Sequence, residues 1–289
     1  MTRKILLALA DTHAGHKSGL MNPAVELEDE TEDGEITTWT PQPTAWNTYL
    51  WTLYRWGVEC VKRIAGDDEI VVIHLGDLTQ GDKFGNHLVS PLVSDQVTIA
   101  VANLSYLVDE LQAIRHIKIM YGTAVHVWGE GATEKLAAKW LQAKYDYRLE
   151  VSTMYHGLLD IDGLTIDASH HGPGVGSREW LKGNIARYYL RDLMFAEFRL
   201  GNVPPKLVMR AHVHDYLVEV LSELWQGVDV VSKLYLLPSF CGIGDYVRKL
   251  SKSEFVVRNG MIAYEIVDGV IRTVYPLIKT KDLRTRERI

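Results

Sequence analysis

Residues Glu69 to Asp77 read EIVVIHLGD. Five of the six residues Ile70 to Leu75 are apolar, too continuous a run for a strand with one wet face, so the segment is expected as a central strand buried on both sides. Its terminal Asp77 then emerges at the sheet edge, where α/β proteins place ligands. A carboxylate has two oxygens and can bridge two cations, and Gly76 before it permits close backbone approach. A turn aspartate would look the same in isolation. His74, inside the strand, is expected to pack or hydrogen-bond in the core.

The neighbouring segments share this form. Short β-rich runs alternate with amphipathic helical windows, the pattern of an α/β layered domain. Strands are expected at Lys4–Ala10, Glu69–Leu75, His116–Tyr121, Leu164–Ser169, Lys206–Ala211, Tyr216–Leu221 and Leu234–Leu237. A hairpin then joins MIAYEIV to VIRTVYPL through Asp268-Gly269. Helices are expected at Thr44–Ile64, Pro91–Ala113, Ala132–Lys144 and Ser177–Leu200. At 289 residues the chain is read as a single domain, β-rich from about residue 206. Between the first strand and first helix, residues 14 to 43 read as an insertion carrying ELEDETEDGE. Its seven acidic residues repel one another and predict a solvated, mobile loop with a possible lid role.

With 24% charged residues and a net charge of −6, the composition is that of a soluble globular protein and argues weakly against a dedicated polyanion binder. Cys60 and Cys241 are too few for a disulfide framework, so a reducing compartment, the cytoplasm, is the simplest expectation. No run approaches the ~20 apolar residues that span a bilayer, so no membrane partner is expected.

Chemistry-bearing residues collect at the strand ends. The first strand runs into Asp11-Thr-His13, whose alternate side chains share one side of an extended segment. GLTIDASHHGPG carries His170 and His171 into a turn, where adjacent imidazoles cannot easily face the same way. KLVMRA leads into His212 and His214, a pair suited to borderline transition metals. Each pattern alone is weak. Four strand ends in a row delivering Asp or His are hard to obtain from packing needs, because buried charges and imidazoles are costly unless paired or metal-bound.

This ordered set, Asp11-x-His13, Gly76-Asp77, a glycine-led loop, His171-Gly172 and Ala211-His212-x-His214, resembles the calcineurin-like metallophosphoesterase superfamily over roughly residues 5 to 220. The resemblance implies a four-layer α-β-β-α sandwich of mixed sheets flanked by helices, with two divalent metal ions at the strand edges. Manganese is the favoured ion, with iron, zinc or nickel as alternatives. It implies that Asp11, His13 and His214 hold the first metal, that Asp77 bridges, and that His212 and His171 hold the second, with His170 the fallback. Two metals roughly 3.5 to 4 Å apart would activate a hydroxide and clamp a phosphoryl group for in-line displacement.

The departure is YGTAVHVWGEG, Tyr121 to Gly131. The family has Gly-Asn-His here; this chain has Gly122-Thr123, a weaker neutral ligand, and a histidine only at position 126. His126 is therefore expected either to loop back as a ligand or to act as general acid to the leaving oxygen, with Glu130 or Glu134 orienting it. Arg178, in the first turns of the fourth helix, is the candidate for substrate phosphate. His16, His87, His116 and His156 match no pattern and are expected as surface or hydrogen-bonded histidines. The leading expectation is a phosphodiesterase acting on a nucleic acid or nucleotide. The alternatives are a small-molecule phosphomonoesterase and a non-catalytic metal-binding scaffold.

Overall fold

The computed structural model describes residues 2–83, 85–129, 131–175, 181–242 and 256–288. It is a mixed α/β structure compatible with a sandwich. Strands β1 (Arg3–Leu9), β4 (Glu69–His74), β5 (Ile114–Met120) and β6 (Glu150–Met154) run parallel, and β12 (Val256–Val267) and β13 (Val270–Asp282) extend this sheet antiparallel. A five-stranded sheet has the order β10 (Leu217–Trp225), β11 (Val228–Leu236), β9 (Leu207–Arg210), β8 (Leu164–Ser169), β7 (His156–Ile161). The central strands β11, β9 and β8 are parallel.

Three apolar cores order these elements. Ile5, Leu7 and Leu9 of β1 face one core with helices α1 (Ala45–Ala65), α2 (Val93–Glu110) and α3 (Ala132–Tyr145), while Leu6 and Ala8 face another. This second core, with Ile73, Ile166, Ala168, Met209 and Tyr264, lies between the two sheets. Helix α4 (Asn184–Leu200) packs Ala186, Leu190 and Met194 against Val208, Leu234 and Leu236 on the outer face of the smaller sheet. The period-two alternation along β1 is thus what separates helices from the sheet–sheet interface. None of the described helices is long and apolar enough to cross a membrane.

The strand register positions the site. Leu9 pairs with His74, and His74 with Ile119, so β1, β4 and β5 release their loops at one level. On the smaller sheet Ala168 pairs with Met209, which brings the loops after β8 and β9 out together. Arg210, fully buried, fixes the second of these: its guanidinium donates to the Met209 and Asp167 carbonyls at 2.8 and 3.1 Å and pairs with the Asp167 carboxylate at 2.6 Å. His156 reaches the same carboxylate at 2.8 Å, a structural use of that histidine.

Two expectations are corrected. The acidic insertion is not a featureless loop: β2 (Leu27–Glu30) and β3 (Ile36–Trp39) form a hairpin whose acidic side chains face water. Leu20, Met21, Val25 and Leu27 are buried in the helix-side core and hold the segment down. Charge repulsion acts on exposed side chains, and these four apolar residues outweigh it. Strands β6 and β7 were not expected, and β10 and β11 run longer than the expected segments. Of the expected Ser177–Leu200 helix, residues 177–180 lie outside the described residues, and α4 begins at Asn184.

Candidate metal centre

The loops leaving five parallel strand ends converge. Asp11 and His13 follow β1, Asp77 follows β4, Thr123 and His126 follow β5, His170 and His171 follow β8, and His212 and His214 follow β9. Backbone bonds lock the first two loops together: Asp11 N donates to Gly76 O and His13 N to Asp77 O, each at 3.0 Å. Asp11, His13, Asp77, His212 and His214 all have φ between 44° and 73°. Left-handed backbone costs a non-glycine residue free energy and persists where the surroundings demand it, commonly at functional sites. Five instances in one cluster mark this edge as shaped for its side chains.

Two groups of donors share Asp77. In the first, His13 Nε2 lies 3.2 Å from His214 Nε2 and 3.9 Å from both Asp11 Oδ1 and Asp77 Oδ2, and His214 Nε2 lies 3.3 Å from Asp11 Oδ1. In the second, His170 Nε2 is 3.2 Å from Asp77 Oδ2. Thr123 Oγ1 sits 3.1 to 3.2 Å from Asp77 Oδ2, His170 Nε2 and His212 Nδ1. Thr123 N donates to Asp77 Oδ1 at 2.5 Å.

The structure places both histidines of the pair at this edge, turned differently. His170 is buried and turned to Asp77, its Nδ1 donating to the Leu75 carbonyl at 2.6 Å. His171 is exposed at the rim, where it groups with His170 and His212. The sequence pair is ambiguous because one residue of a turn separates inward from outward. The register of β8 against β9 resolves it, with Ala211 N donating to His170 O.

His126 falls beside the first group. Its Nε2 is 4.0 Å from Asp77 Oδ2, its ring meets His13 edge-on at 4.8 Å, and its Nδ1 donates to the Gln80 carbonyl at 2.5 Å. Gln80 also binds His13 Nδ1 through its side-chain oxygen at 2.9 Å. A backbone carbonyl can only accept, so Nδ1 carries the hydrogen in both His170 and His126 and their Nε2 atoms face Asp77. Imidazoles that donate through one nitrogen and aim the other at a shared point are the usual arrangement around a metal. Gln80 carries no sequence signal beyond its place three residues after Asp77. Glu130 and Arg178 lie outside the described residues.

The electrostatics ask for positive charge. Burial opposes ionisation throughout, and the pairings decide the outcome. Against burial, Asp77 lifts His170 to about 9 and Asp11 lifts His214. The same contacts hold Asp77 and Asp11 below the usual carboxylate range despite their burial. Burial drives His13 well below its ordinary value, and burial with the His170 charge lowers His171 and His212, keeping lone pairs available. Asp11 Oδ1 is fully buried and accepts no hydrogen bond among the described residues. Protons on His170 and His214 answer this demand in part; cations between the donors would answer it fully, and mixed carboxylate, imidazole and hydroxyl donors suit borderline divalent ions. The donor set therefore fits a metal centre.

Glu134, in the first turn of α3, supports the third loop from behind. Thr79 Oγ1 donates to the His126 carbonyl at 2.8 Å and meets Thr133 Oγ1 at 2.9 Å, and Thr133 Oγ1 meets Glu134 Oε2 at 3.0 Å. Thr133 Oγ1 donates to the Glu134 carboxyl, and the single Thr79 hydrogen is shared between the His126 carbonyl and Thr133 Oγ1. Burial pushes this fully buried group up to about 7. Between about 4.5 and 7 the folded protein then binds more protons than the unfolded chain, so this group's contribution to stability falls as pH rises, by roughly 3 kcal/mol across the window. Glu134→Gln, whose amide does not titrate and still accepts from Thr133, is expected to remove that slope. Urea unfolding of the metal-free protein at pH 5 and pH 8 should show wild type losing stability relative to the variant; a constant difference would contradict the raised carboxyl.

No family model matches the chain, and no curated protein matches it. Among solved structures it is similar to the protein of unknown function AQ665 from Aquifex aeolicus, at 13% identity and a TM-score of 0.31 over 73% of this chain and 80% of that one. It is also similar to a metallophosphoesterase from Sphaerobacter thermophilus, at 12% identity and a TM-score of 0.36 over 98% of this chain and 89% of that one. Likeness at this level carries no argument about chemistry, which rests on the residues above.

Proposed function

We propose that the chain is a divalent-metal-dependent phosphoesterase that hydrolyses a phosphodiester of nucleic-acid or nucleotide type. The observation that supports this best is Asp77: one buried carboxylate shared by two groups of imidazoles whose nitrogens face it. Asp11, His13, Asp77 and His214 would hold one cation, and Asp77, Thr123, His170 and His212 a second. When bound, such cations would acidify a water molecule and polarise phosphoryl oxygens. The chain's own residues fix where this happens. Asp77 is held by Thr123, and His170 by the Leu75 carbonyl, so neither reorganises as substrate arrives. His171 stands at the rim, where it can meet an incoming phosphate.

Beside the second group a cavity of about 260 Å³ is lined by Tyr121, Val127, Tyr155, His156, His170 and His171. Its aromatic wall gives an organic substituent of the phosphate a place to lie, which favours a diester over inorganic or small polar monoesters. Hydrolysis of an activated diester faster than the matching monoester, dependent on added divalent ions, is the expected result. The reverse order would favour a monoesterase, and bound metal without hydrolysis of either would favour a scaffold.

We read His126 as a further ligand on the His13 side of Asp77, supported by its place beside both. Its Nδ1 hydrogen is committed to the Gln80 carbonyl, which leaves Nε2 as the atom facing Asp77. His126→Ala is expected to bind metal less tightly, by about 10 to 100-fold for one of the ions. Unchanged metal content with slowed cleavage confined to poor leaving groups would instead make it a general acid.

A further inference from the structure

One donor in the cluster has no part in the ligand set above. Cys241 follows β11 in a segment that crosses the edge of the sheet, where Leu237 N donates to Arg210 O at 2.8 Å, Phe240 N to Asp11 O at 3.1 Å and Gly242 N to Ser18 O at 2.7 Å. Asn259 Nδ2 donates to the Cys241 carbonyl at 2.9 Å. The backbone is thus tied on both sides, and the side chain is buried. Its Sγ and ring nitrogens of His13 and His214 all lie within 4.8 Å of one another. Among the described residues the thiol's hydrogen-bond partner is the Gly242 carbonyl at 3.4 Å, a weak contact.

A buried cysteine by itself is ordinary packing. Here the thiol approaches two imidazoles that also flank a buried carboxylate oxygen. Asp11 Oδ1, fully buried and accepting no well-formed hydrogen bond among the described residues, stands at ion-pair distance, 3.3 Å, from His214 Nε2 and 3.9 Å from His13 Nε2, the two imidazoles that Cys241 approaches. Filling a core does not call for a thiol beside two imidazoles that also face a buried carboxylate. Donors this close can share an ion whose bonds run about 2.0 to 2.1 Å to nitrogen and about 2.3 Å to sulfur.

We propose that Cys241 Sγ is a ligand of the first cation, making that position selective for thiophilic divalent ions (zinc, iron or cobalt) over manganese and magnesium. Binding releases the thiol proton to solvent and leaves a thiolate on the ion. Soft sulfur donors raise affinity for borderline ions far more than for hard ones, which prefer oxygen. The manganese expected from the resemblance would then be a poor occupant of this position. The proposal rests on the metal-centre reading, and its test separates the two.

The metal-free protein is titrated with cobalt(II) and followed by absorption. Wild type is expected to develop visible d–d bands, which report cobalt bound, together with a near-ultraviolet sulfur-to-cobalt charge-transfer band. Cys241→Ser is expected to lose the charge-transfer band while keeping d–d bands, and Cys60→Ser, altered at the α1 cysteine, to keep both. Cobalt bands in wild type without charge transfer would overturn the cysteine ligand and leave the metal centre standing. A charge-transfer band that survives Cys241→Ser would do the same. No cobalt bands in wild type would overturn both readings. Should Cys241→Ser fold poorly, cadmium-113 resonance of the wild-type protein distinguishes a sulfur-bearing site by its downfield shift, and a shift typical of nitrogen and oxygen donors alone would overturn the proposal.

Discussion

Asp77→Asn is expected to lower phosphoester turnover about a thousandfold while the protein stays folded. Asparagine keeps the shape of the side chain and can still accept the Thr123 N–H at the Oδ1 position. What it loses is the charge common to both imidazole groups. A cation pair supplies several kcal/mol of transition-state charge stabilisation, and losing about 4 kcal/mol corresponds to about three decades in rate. The same change removes the group that raises His170, so metal-free His170 should titrate nearer its ordinary value, a shift visible by NMR. Turnover near the wild-type level in this variant would mean that Asp77 is a turn aspartate and that the convergence around it has another cause.

Gly122→Ala is expected to disrupt the candidate metal centre strongly. A Cβ at this position would overlap Asp77 Oδ1 and the Asp77 backbone nitrogen, neither of which can swing away as the end of a flexible side chain would. Overpacking of this kind costs about 1 to 3 kcal/mol and more where backbone must move. It would also displace the Thr123 N–H from Asp77, so loss of affinity for the second cation should accompany the loss of stability. Gly85→Ala, where the added carbon meets nothing, should change stability by less than about 0.5 kcal/mol. Denaturant unfolding of the two variants checks this. Equal effects would show that the close approach of the third loop to Asp77 is not needed.

Much of the fold is legible in the sequence because its strands are buried on both faces. EIVVIHL and KILLALA announce themselves as continuous apolar runs, and their register then carries Asp11 and Asp77 to one level. Strands β6 and β7 escape this logic. EVSTM and HGLLDI sit at the edges of their sheets, half exposed, and carry no apolar run or clean alternation. The hairpin of β2 and β3 escapes it for a different reason: its acidic composition describes its wet face, while the few residues that pin the segment are spread over Leu20 to Leu27.

The candidate site shows the same division. Residues attached directly to strand ends, Asp11, His13, Asp77, His212 and His214, are predictable as neighbours because sheet register brings strand ends together. Choosing His170 over His171 needs the phase of a turn, which a one-residue slip reverses. Gln80, Thr79 and Cys241 belong to loops whose paths depend on tertiary hydrogen bonds to other loops, such as Phe240 N to Asp11 O and Gln80 N to Ala14 O. No periodicity reports such paths. Thr123 lies between these cases: its position was expected from the glycine-led loop, and its contacts with Asp77, His170 and His212 emerge only once three strand ends are in place.

The count and arrangement of metal ions test the central claim most directly. Crystals of the protein loaded with zinc or cobalt, with anomalous scattering recorded at the absorption edge, should show two ions per chain with the Asp77 carboxylate between them. One would lie among Asp11, His13 and His214, the other among Thr123, His170 and His212. A single ion, or ions bound elsewhere with Asp77 still paired only to His170 and Thr123, would contradict the account.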